Sequence, residues 1–446
     1  MPATLIDALR DASAVTSRGY TFLNDALEPR EHTFDRLLAE AERRARLFRS
    51  RGLEKGERLA MVVPEGEDFV LAFLGAVRAG IVPVPMYPPL ALGRLDVDVE
   101  TARRILEAAS AKALLTSKKI SPILWSLVGK VSSLEDILTV EKVAEPQPAS
   151  EGISLDDAVV GPEDTCFLQF TSGSTSDPKG VVVTHANLLA NARAIMFDGL
   201  ESDPERDRGV SWLPLYHDMG LIGFVIAPLL NGVPVVFIPT LSFVKRPNVW
   251  IDTISKYRGT ITFAPNFAFG LAAKRATPKR LEGWDLSCLR VVGCGAEPIN
   301  ADTMRAFVDV FSKAGFDERA LMPAYGMAEA TLAMSFDDLQ SPIETVTIDR
   351  ELYESEHRAV PYAGEDPTGG LVLVSCGKTF PGHQLGVMGP DDTLLDEGQV
   401  GELVFSGPSV TPGYFGNPGA TGRAVVNGWL HTGDLGFILD GHVYVS

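Results

Sequence analysis

The sequence predicts an α/β protein: mostly parallel sheets with flanking helices, then a small antiparallel, barrel-like subdomain near the end of the chain. Three observations lead there. Amphipathic helical stretches alternate with short, wholly apolar runs until past residue 300, the pattern of parallel strands covered by helices on both faces. Several of those runs stop at polar or glycine-rich turns, and open parallel sheets gather ligands at the carboxyl ends of their strands. After about residue 340 the character changes to glycine and short alternating runs, which favour antiparallel strands.

Taken in order, Phe34 to Arg51 places Phe34, Leu37, Leu38, Ala41, Ala45, Leu47 and Phe48 on one helical face, and Gly52 ends that helix. Arg58 to Val63 reads as a buried strand stopping at Pro64. Phe69 to Arg78 is an apolar helix ending at Gly80, and Val82-Pro83-Val84-Pro85 restarts extended chain. Glu145 to Gly152 reads as a linker. Thr165 to Phe170 and Val181 to Thr184 read as strands, with a helix starting near His185. Val210 to Gly223 is a strand, a turn and an apolar helix start, and Leu321-Met322-Pro323 is another strand. In the last part, Gly370 to Val374, Gln384 to Met388 and Gly401 to Phe405 are the expected barrel strands. The expected divisions are residues 1–340, 341–370 and 371–446.

A chain of 446 residues implies two or three subdomains. The net charge of −18 argues against a general nucleic-acid binder. An anionic ligand would have to be held by local groups rather than by the overall field. No apolar run is long enough to span a bilayer, and no basic start followed by an apolar stretch marks a secretory signal. Cys166, Cys288, Cys294 and Cys376 lack paired spacing, so reduced thiols and a cytoplasmic location are expected.

The run Phe170-Thr171-Ser172-Gly173-Ser174-Thr175-Ser176-Asp177-Pro178-Lys179-Gly180 concentrates hydroxyls, glycine and one lysine between two strands. Free backbone N–H groups, hydroxyl donors and a cation suit a polyphosphate. Pro178 stands where a Walker loop needs glycine, and a Ser/Thr-rich surface turn is the other reading. Tyr216, His217 and Asp218 follow a strand, where they either face a ligand or simply cap a helix. Val291 to Ile299 ends in small residues that would let a flat base lie against backbone, or that merely turn the chain. Tyr325, with Glu329 four residues on, offers an aromatic face and a carboxylate suited to Mg²⁺; both also fit a helix start. Asp434, in Thr432-Gly433-Asp434, is a carboxylate in a tight turn that suits paired hydroxyls. The aromatics of Phe243 to Trp250 and Thr262 to Phe269 are core residues by default, or the wall of an apolar channel.

These segments, in this order, resemble the motifs of the acyl-adenylate-forming superfamily, which includes acyl-CoA synthetases, luciferases and nonribosomal adenylation domains. Ser176 replaces the family's usual second glycine, as is common in the fatty acyl-AMP ligase branch, and the Tyr216-His217-Asp218 string is closest to that branch. The resemblance implies two stacked sheets plus a barrel-like part, the adenylate-forming N-terminal domain. It implies ATP held by Thr171, Ser172, Gly173, Ser174, Thr175 and Lys179 at the phosphates. Gly295, Ala296 and Glu297 would meet the adenine on one side, and Tyr325, Gly326 and Met327 on the other. Asp434 would accept from the ribose. Mg²⁺ would sit on Glu329 and Thr171, His217 would orient the acyl carboxylate, and His217, Lys179 and Glu329 would be the catalytic set. Met219, Gly220, Phe243, Trp250, Asn266 and Phe267 would line the acyl pocket. Cys294 stands where the branch often has asparagine.

The implied reaction joins a fatty acid to AMP and passes the acyl group to the phosphopantetheine of an acyl carrier protein. A fatty acyl-CoA ligase and a non-catalytic nucleotide-binding module remain as alternatives. Superfamily members continue with a hinge and a small lysine-bearing mobile domain, so this chain reads as the large N-terminal domain alone. From Glu329 to Gly377 is 377 − 329 = 48 residues, roughly twenty more than a CoA ligase would need. In fatty acyl-AMP ligases an insertion here restrains the mobile domain, and Thr345-Val346-Thr347-Ile348 alternates like a strand that packs on the body.

Overall fold

The computed structural model describes residues 2–15, 17–89, 95–150, 152–171 and 178–446. Among these, the largest sheet has six parallel strands at its centre, in the order Leu321–Gly326, Val291–Cys294, Ile261–Ala264, Gly209–Ser211, Val235–Phe237 and Gly19–Leu23. Antiparallel strands close its edges: Pro29–Thr33 on one side, Ala333–Phe336 and Lys378–Thr379 on the other. The central runs are apolar because both faces are covered; every residue of Ile261–Ala264 and Val291–Cys294 is buried.

A second, fully parallel sheet contains Val82–Pro85, Arg58–Val62, Ala113–Thr116 and Asp136–Thr139. Strand alternation links the two sheets. Leu59 and Met61 face a core shared with the main sheet and with helices Phe34–Ser50 and Gly66–Arg78, while Ala60 and Val62 face an outer core. The antiparallel hairpin Thr165–Thr171 and Lys179–Thr184 straddles both cores, with Phe167, Val181 and Val183 on one side and Leu168 and Val182 on the other. Thr184 then caps helix His185–Arg193 in a reciprocal bond pattern with Asn187. The stacked parallel sheets expected from the sequence are present.

The final part is a curled antiparallel sheet of Gln384–Met388, Gly401–Ser406, Trp429–Leu439, Val425–Val426 and His442–Val445. Gly370–Val374 is not one of its strands. It pairs instead with Thr345–Asp349, with helix Arg350–Glu356 following the latter. Ile348, Ala359, Val400, Phe437 and Tyr444 form a small core that fastens this unit to the curled sheet. The four cysteines are free, and no helix among the described residues is long and apolar enough to cross a membrane.

Just past Ala333–Phe336 of the main sheet, Asp337 is buried between the curled sheet and the segment leading to Thr345–Asp349. His442 Nδ1 lies 3.9 Å from its Oδ1 and 3.6 Å from Glu344 Oε2, and 2.9 Å from Ser375 Oγ. Burial pushes the Asp337 carboxyl up to about 6, with Glu344 and Asp338 adding to the rise and the Asp338 N–H and His442 opposing it. The folded chain therefore binds this proton more tightly than the unfolded chain. That contribution to stability is complete below the ordinary carboxylate range and is lost as pH rises through about 6. Asp337→Asn keeps the acceptor for the Asp338 N–H, so at pH 8 it should be more stable than the parent by roughly 1 kcal/mol. The difference should vanish near pH 4. Urea unfolding at both pH values checks this, and an equal difference at the two would remove Asp337 as its source.

Candidate active site

The carboxyl ends of the central strands frame a cavity of about 210 Å³. One rim is a ledge of backbone and small side chains: Gly295, Ala296, Ala324, Tyr325, Gly326 and Met327. The opposite wall is apolar, with Ile195, Leu200, Met219, Phe224, Phe263 and Phe336; His217 and Asp218 form a polar corner. Local sequence builds each side. Phe263 pairs with Gly293 in the neighbouring strand, and a Cβ at Gly293 would fall 2.0 Å from its ring, so only glycine lets this aromatic lie across the strand. Gly326 is similarly constrained, since a Cβ there would meet the Leu332 carbonyl oxygen at 1.9 Å where the hairpin shifts register. Ala296 adopts φ +66°, a left-handed turn that costs a non-glycine residue about 1 kcal/mol or more and marks the ledge as a shaped surface. Two π-helical segments, Ala194–Gly199 and Leu221–Ile226, deliver Ile195, Gly223 and Phe224 to the cavity.

In the polar corner, His217 Nδ1 and Asp218 Oδ1 are 2.6 Å apart. Asp218 is buried and also accepts from the Met219 N–H at 2.8 Å, so its carboxylate is held while the imidazole side chain stays 57% exposed. The hydrogen bond to Asp218 raises the His217 pKa above its ordinary value. Binding through Nδ1 fixes the ring's orientation and leaves Nε2 for a ligand. Gln169 Nε2 donates to the Tyr216 carbonyl at 3.1 Å and fastens this turn to the hairpin.

On the ledge, the Tyr325 hydroxyl donates to Asp434 Oδ2 at 2.7 Å. The ring sits between the main and curled sheets, and burial raises its pKa. A third group of residues surrounds Glu329, whose carboxylate is buried. The Tyr414 hydroxyl donates to Glu329 Oε1 at 2.8 Å, and Lys179 Nζ lies 5.3 Å from the centre of the same tyrosine's ring. No described cluster of three or more His, Cys, Asp or Glu could hold a metal alone. A buried carboxylate with a single neutral donor among the described residues fits a hard cation whose remaining ligands come from phosphate and water.

The structure thus brings His217, Met219, Gly295, Ala296, Tyr325, Gly326 and Met327 to one cavity, joins Asp434 to Tyr325, and sets Lys179 beside Glu329 through Tyr414. Thr171 and Lys179 face each other across the hairpin. Ser172, Gly173, Ser174 and Thr175 lie outside the described residues.

Other expected residues stand elsewhere. Glu297 is exposed and accepts from the Phe267 N–H at 2.6 Å, at the start of helix Asn266–Arg275. Gly220 packs against the Pro214 carbonyl, where a Cβ would come within 2.2 Å. Phe243, Trp250, Asn266 and Phe267 do not line the cavity. Phe243 is buried in a stack on Trp212 with ring centres 3.6 Å apart. Trp250 is fully buried, with its indole N–H donating to Thr262 Oγ1 at 2.8 Å, and that hydroxyl donates in turn to the Val210 carbonyl. These two are core anchors. Asn266 accepts from the Asn300 N–H, and Phe267 is exposed.

Sequence reasoning missed Phe263, Phe336, Ile195 and Leu200 on the apolar wall, and missed Tyr414 altogether. The pairing of Phe263 with Gly293 held the one available signal for the wall. Tyr414 lies in the turn-rich run Thr411 to Pro418, whose composition says nothing of its partners.

The AMP-binding enzyme family profile matches residues 10–415. Among curated proteins, the chain is 39% identical over 415 residues to a putative acyl-CoA synthetase of Caulobacter vibrioides, covering 93% of this chain and 71% of that protein. It is 31% identical over 457 residues to a medium-chain-fatty-acid acyl-carrier-protein ligase of Moorena producens, covering 100% and 76%. A solved structure from a study of fatty acyl-adenylate ligases from E. coli and L. pneumophila superposes with a TM-score of 0.94 at 36% identity, covering 100% of this chain and 79% of that one.

The His217–Asp218 contact is testable without any substrate. Asp218→Asn should lower the His217 midpoint, read by NMR titration of the imidazole. An unmoved midpoint would show that Asp218 does not hold the imidazolium.

Proposed function

The chain belongs to the AMP-binding enzyme family, and we propose that it activates a fatty acid with ATP, forming acyl-AMP and pyrophosphate for transfer to the thiol of an acyl carrier protein. The observation that carries this reading is one cavity with three different surfaces. It has an aromatic and backbone ledge sized for a flat base, a histidine at the corner, and an apolar wall beyond it.

The chemistry follows from those surfaces. An oxygen of the fatty carboxylate attacks the α-phosphorus, the bond to the β-phosphate oxygen breaks, and pyrophosphate leaves with its electron pair. The carboxylate is itself the nucleophile, so the protein supplies positioning and charge rather than a covalent intermediate. His217, oriented by Asp218, donates from Nε2 to the carboxylate and reduces its repulsion from the phosphates. Lys179 and the Thr171 to Thr175 segment neutralise the leaving pyrophosphate. Tyr325 presents its ring to the adenine from one side while Gly295 and Ala296 bound the other, and Asp434 accepts from the ribose. Glu329, aided by Thr171, would hold Mg²⁺, which supplies charge neutralisation of the phosphates when bound. The alkyl chain would run along Met219, Phe224, Phe263 and Phe336.

Acyl carrier protein is preferred over CoA as acceptor for two reasons: the likeness to the Moorena ligase, and the 341–370 insertion, which is fixed to the curled sheet by Ile348. Assays of this protein with ATP, Mg²⁺ and a fatty-acid panel, offering carrier protein and CoA in competition, test it. Acyl-AMP and acyl-carrier protein are expected. Efficient acyl-CoA formation would replace this reading with the CoA-ligase one, and absence of any adenylate would leave only a nucleotide-binding module.

Lys179→Ala removes a cation that matters most when pyrophosphate departs. ATP–pyrophosphate exchange should fall by about 10²-fold, well beyond the loss of ATP affinity measured by calorimetry. Equal losses in the two would make Lys179 a binding residue only.

A further inference from the structure

Tyr414 touches two charged groups of opposite sign, the Glu329 carboxylate and the Lys179 ammonium. Its hydroxyl donates to Glu329 Oε1 at 2.8 Å, and Lys179 Nζ stands 5.3 Å from its ring centre. The tyrosine is itself held from several sides. The Tyr414 N–H donates to Thr421 Oγ1 at 2.9 Å. The flanking residues clip onto the strand that begins at Lys179: the Val182 N–H donates to the Gly413 carbonyl at 3.0 Å and the Phe415 N–H to the Gly180 carbonyl at 2.8 Å. Thr411 spans the two regions, its N–H donating to the Glu329 carbonyl at 2.8 Å and its hydroxyl to the Val182 carbonyl at 2.6 Å. At Gly413, φ is +139° and a Cβ would fall 2.3 Å from Thr421, so the turn admits only glycine there.

We propose that Tyr414 is a positioning residue that sets the Glu329 carboxylate for a divalent cation and holds Lys179 over the neighbouring phosphate position. The inference rests on the reading of Glu329 and Lys179 given above, and adds a residue and a division of labour to it. The hydroxyl accounts for the carboxylate. Among the described residues, the Tyr414 hydroxyl is the donor that holds Oε1 of this buried carboxylate before a cation arrives, and residues that orient a metal-binding carboxylate commonly change metal affinity by tenfold or more. The ring accounts for the lysine. A cation over an aromatic face is restrained without being neutralised, so its charge stays available to an anion. The two functions separate chemically, because phenylalanine keeps the ring and leucine keeps neither ring nor hydroxyl.

The test is calorimetric, with a non-hydrolysable ATP analogue titrated across magnesium concentrations and AMP as the magnesium-independent control. Tyr414→Phe should raise the magnesium needed for half-maximal analogue binding by about tenfold and leave AMP binding unchanged. Tyr414→Leu should show the same magnesium shift, plus a two- to fivefold loss of analogue affinity, roughly, without magnesium. Glu329→Gln is run beside them. If Glu329→Gln shifts the magnesium dependence and Tyr414→Phe overlays the parent, the Tyr414 inference falls and the metal reading stands. Should neither shift it, the metal reading fails and takes the inference with it. If Tyr414→Phe weakens AMP and the analogue alike, the tyrosine is only a packing residue of its turn and the proposal is overturned.

Discussion

Six parallel strands covered by helices on both faces leave one kind of place where polar groups can gather, the ends of the strands. The rest of the structure follows from that constraint. Within the sheet, backbone groups are paired and side chains are packed, so a ligand cannot enter without breaking both. At the carboxyl ends of Leu321–Gly326, Val291–Cys294 and Gly209–Ser211 the pairing stops, and the chain turns into segments that are not ordinary helices. The left-handed Ala296, the register shift at Gly326 and the π-helical turn after Gly220 are each locally unfavourable. All three border the same cavity, where the surrounding packing is dense enough to hold them.

The charge distribution poses a second constraint. A chain of net charge −18 repels anions at long range, so a polyphosphate must be held by close contacts. On the reading proposed above, Lys179 and the hydroxyl-rich segment before it would be the local answer. Keeping Lys179 on the Tyr414 ring, rather than in a salt bridge with Glu329, is consistent with that need. A lysine already neutralised by a buried carboxylate would offer a phosphate little, and the carboxylate would be equally unavailable to a cation.

Much of the frame was legible because it rests on periodicity. Alternation within Arg58–Val62 assigns its residues to two cores, and the face pattern of Phe34–Ser50 assigns the helix to one of them. The ledge and His217 were legible only through their resemblance to known motifs, since glycine, tyrosine and histidine at strand ends have many ordinary explanations. Where sequence reasoning misplaced residues, the cause was that composition does not distinguish one buried aromatic from another. Trp250 satisfies its N–H on Thr262 within the core, whereas Phe263, the next residue on the same strand as Thr262, lines the cavity because Gly293 makes room. Gly370–Val374 alternates like any barrel strand, and its actual partner, Thr345–Asp349, is decided by a small core that no local pattern reveals. Tyr414 was invisible because its role depends on two residues 85 and more positions away.

The site is also a junction, and this bears on how its parts act together. Tyr325 belongs to the main sheet and Asp434 to the curled one, and their hydrogen bond crosses between them. Thr331 Oγ1 donates to the Ser409 carbonyl at 2.6 Å and the Thr411 N–H to the Glu329 carbonyl at 2.8 Å, two further crossings near the cavity. Beneath them a shared apolar core joins Tyr325, Ala330 and Met334 to Leu403, Phe405 and Leu430. Tyr325, Asp434 and the Glu329 turn are therefore held in register by the docking of one sheet on another, rather than by any single loop. Such an arrangement resists small local shifts, because displacing one group requires sliding a packed interface. Thr345–Asp349 is in turn fastened to the curled sheet that carries Asp434, through the small core of Ile348, Phe437 and Tyr444.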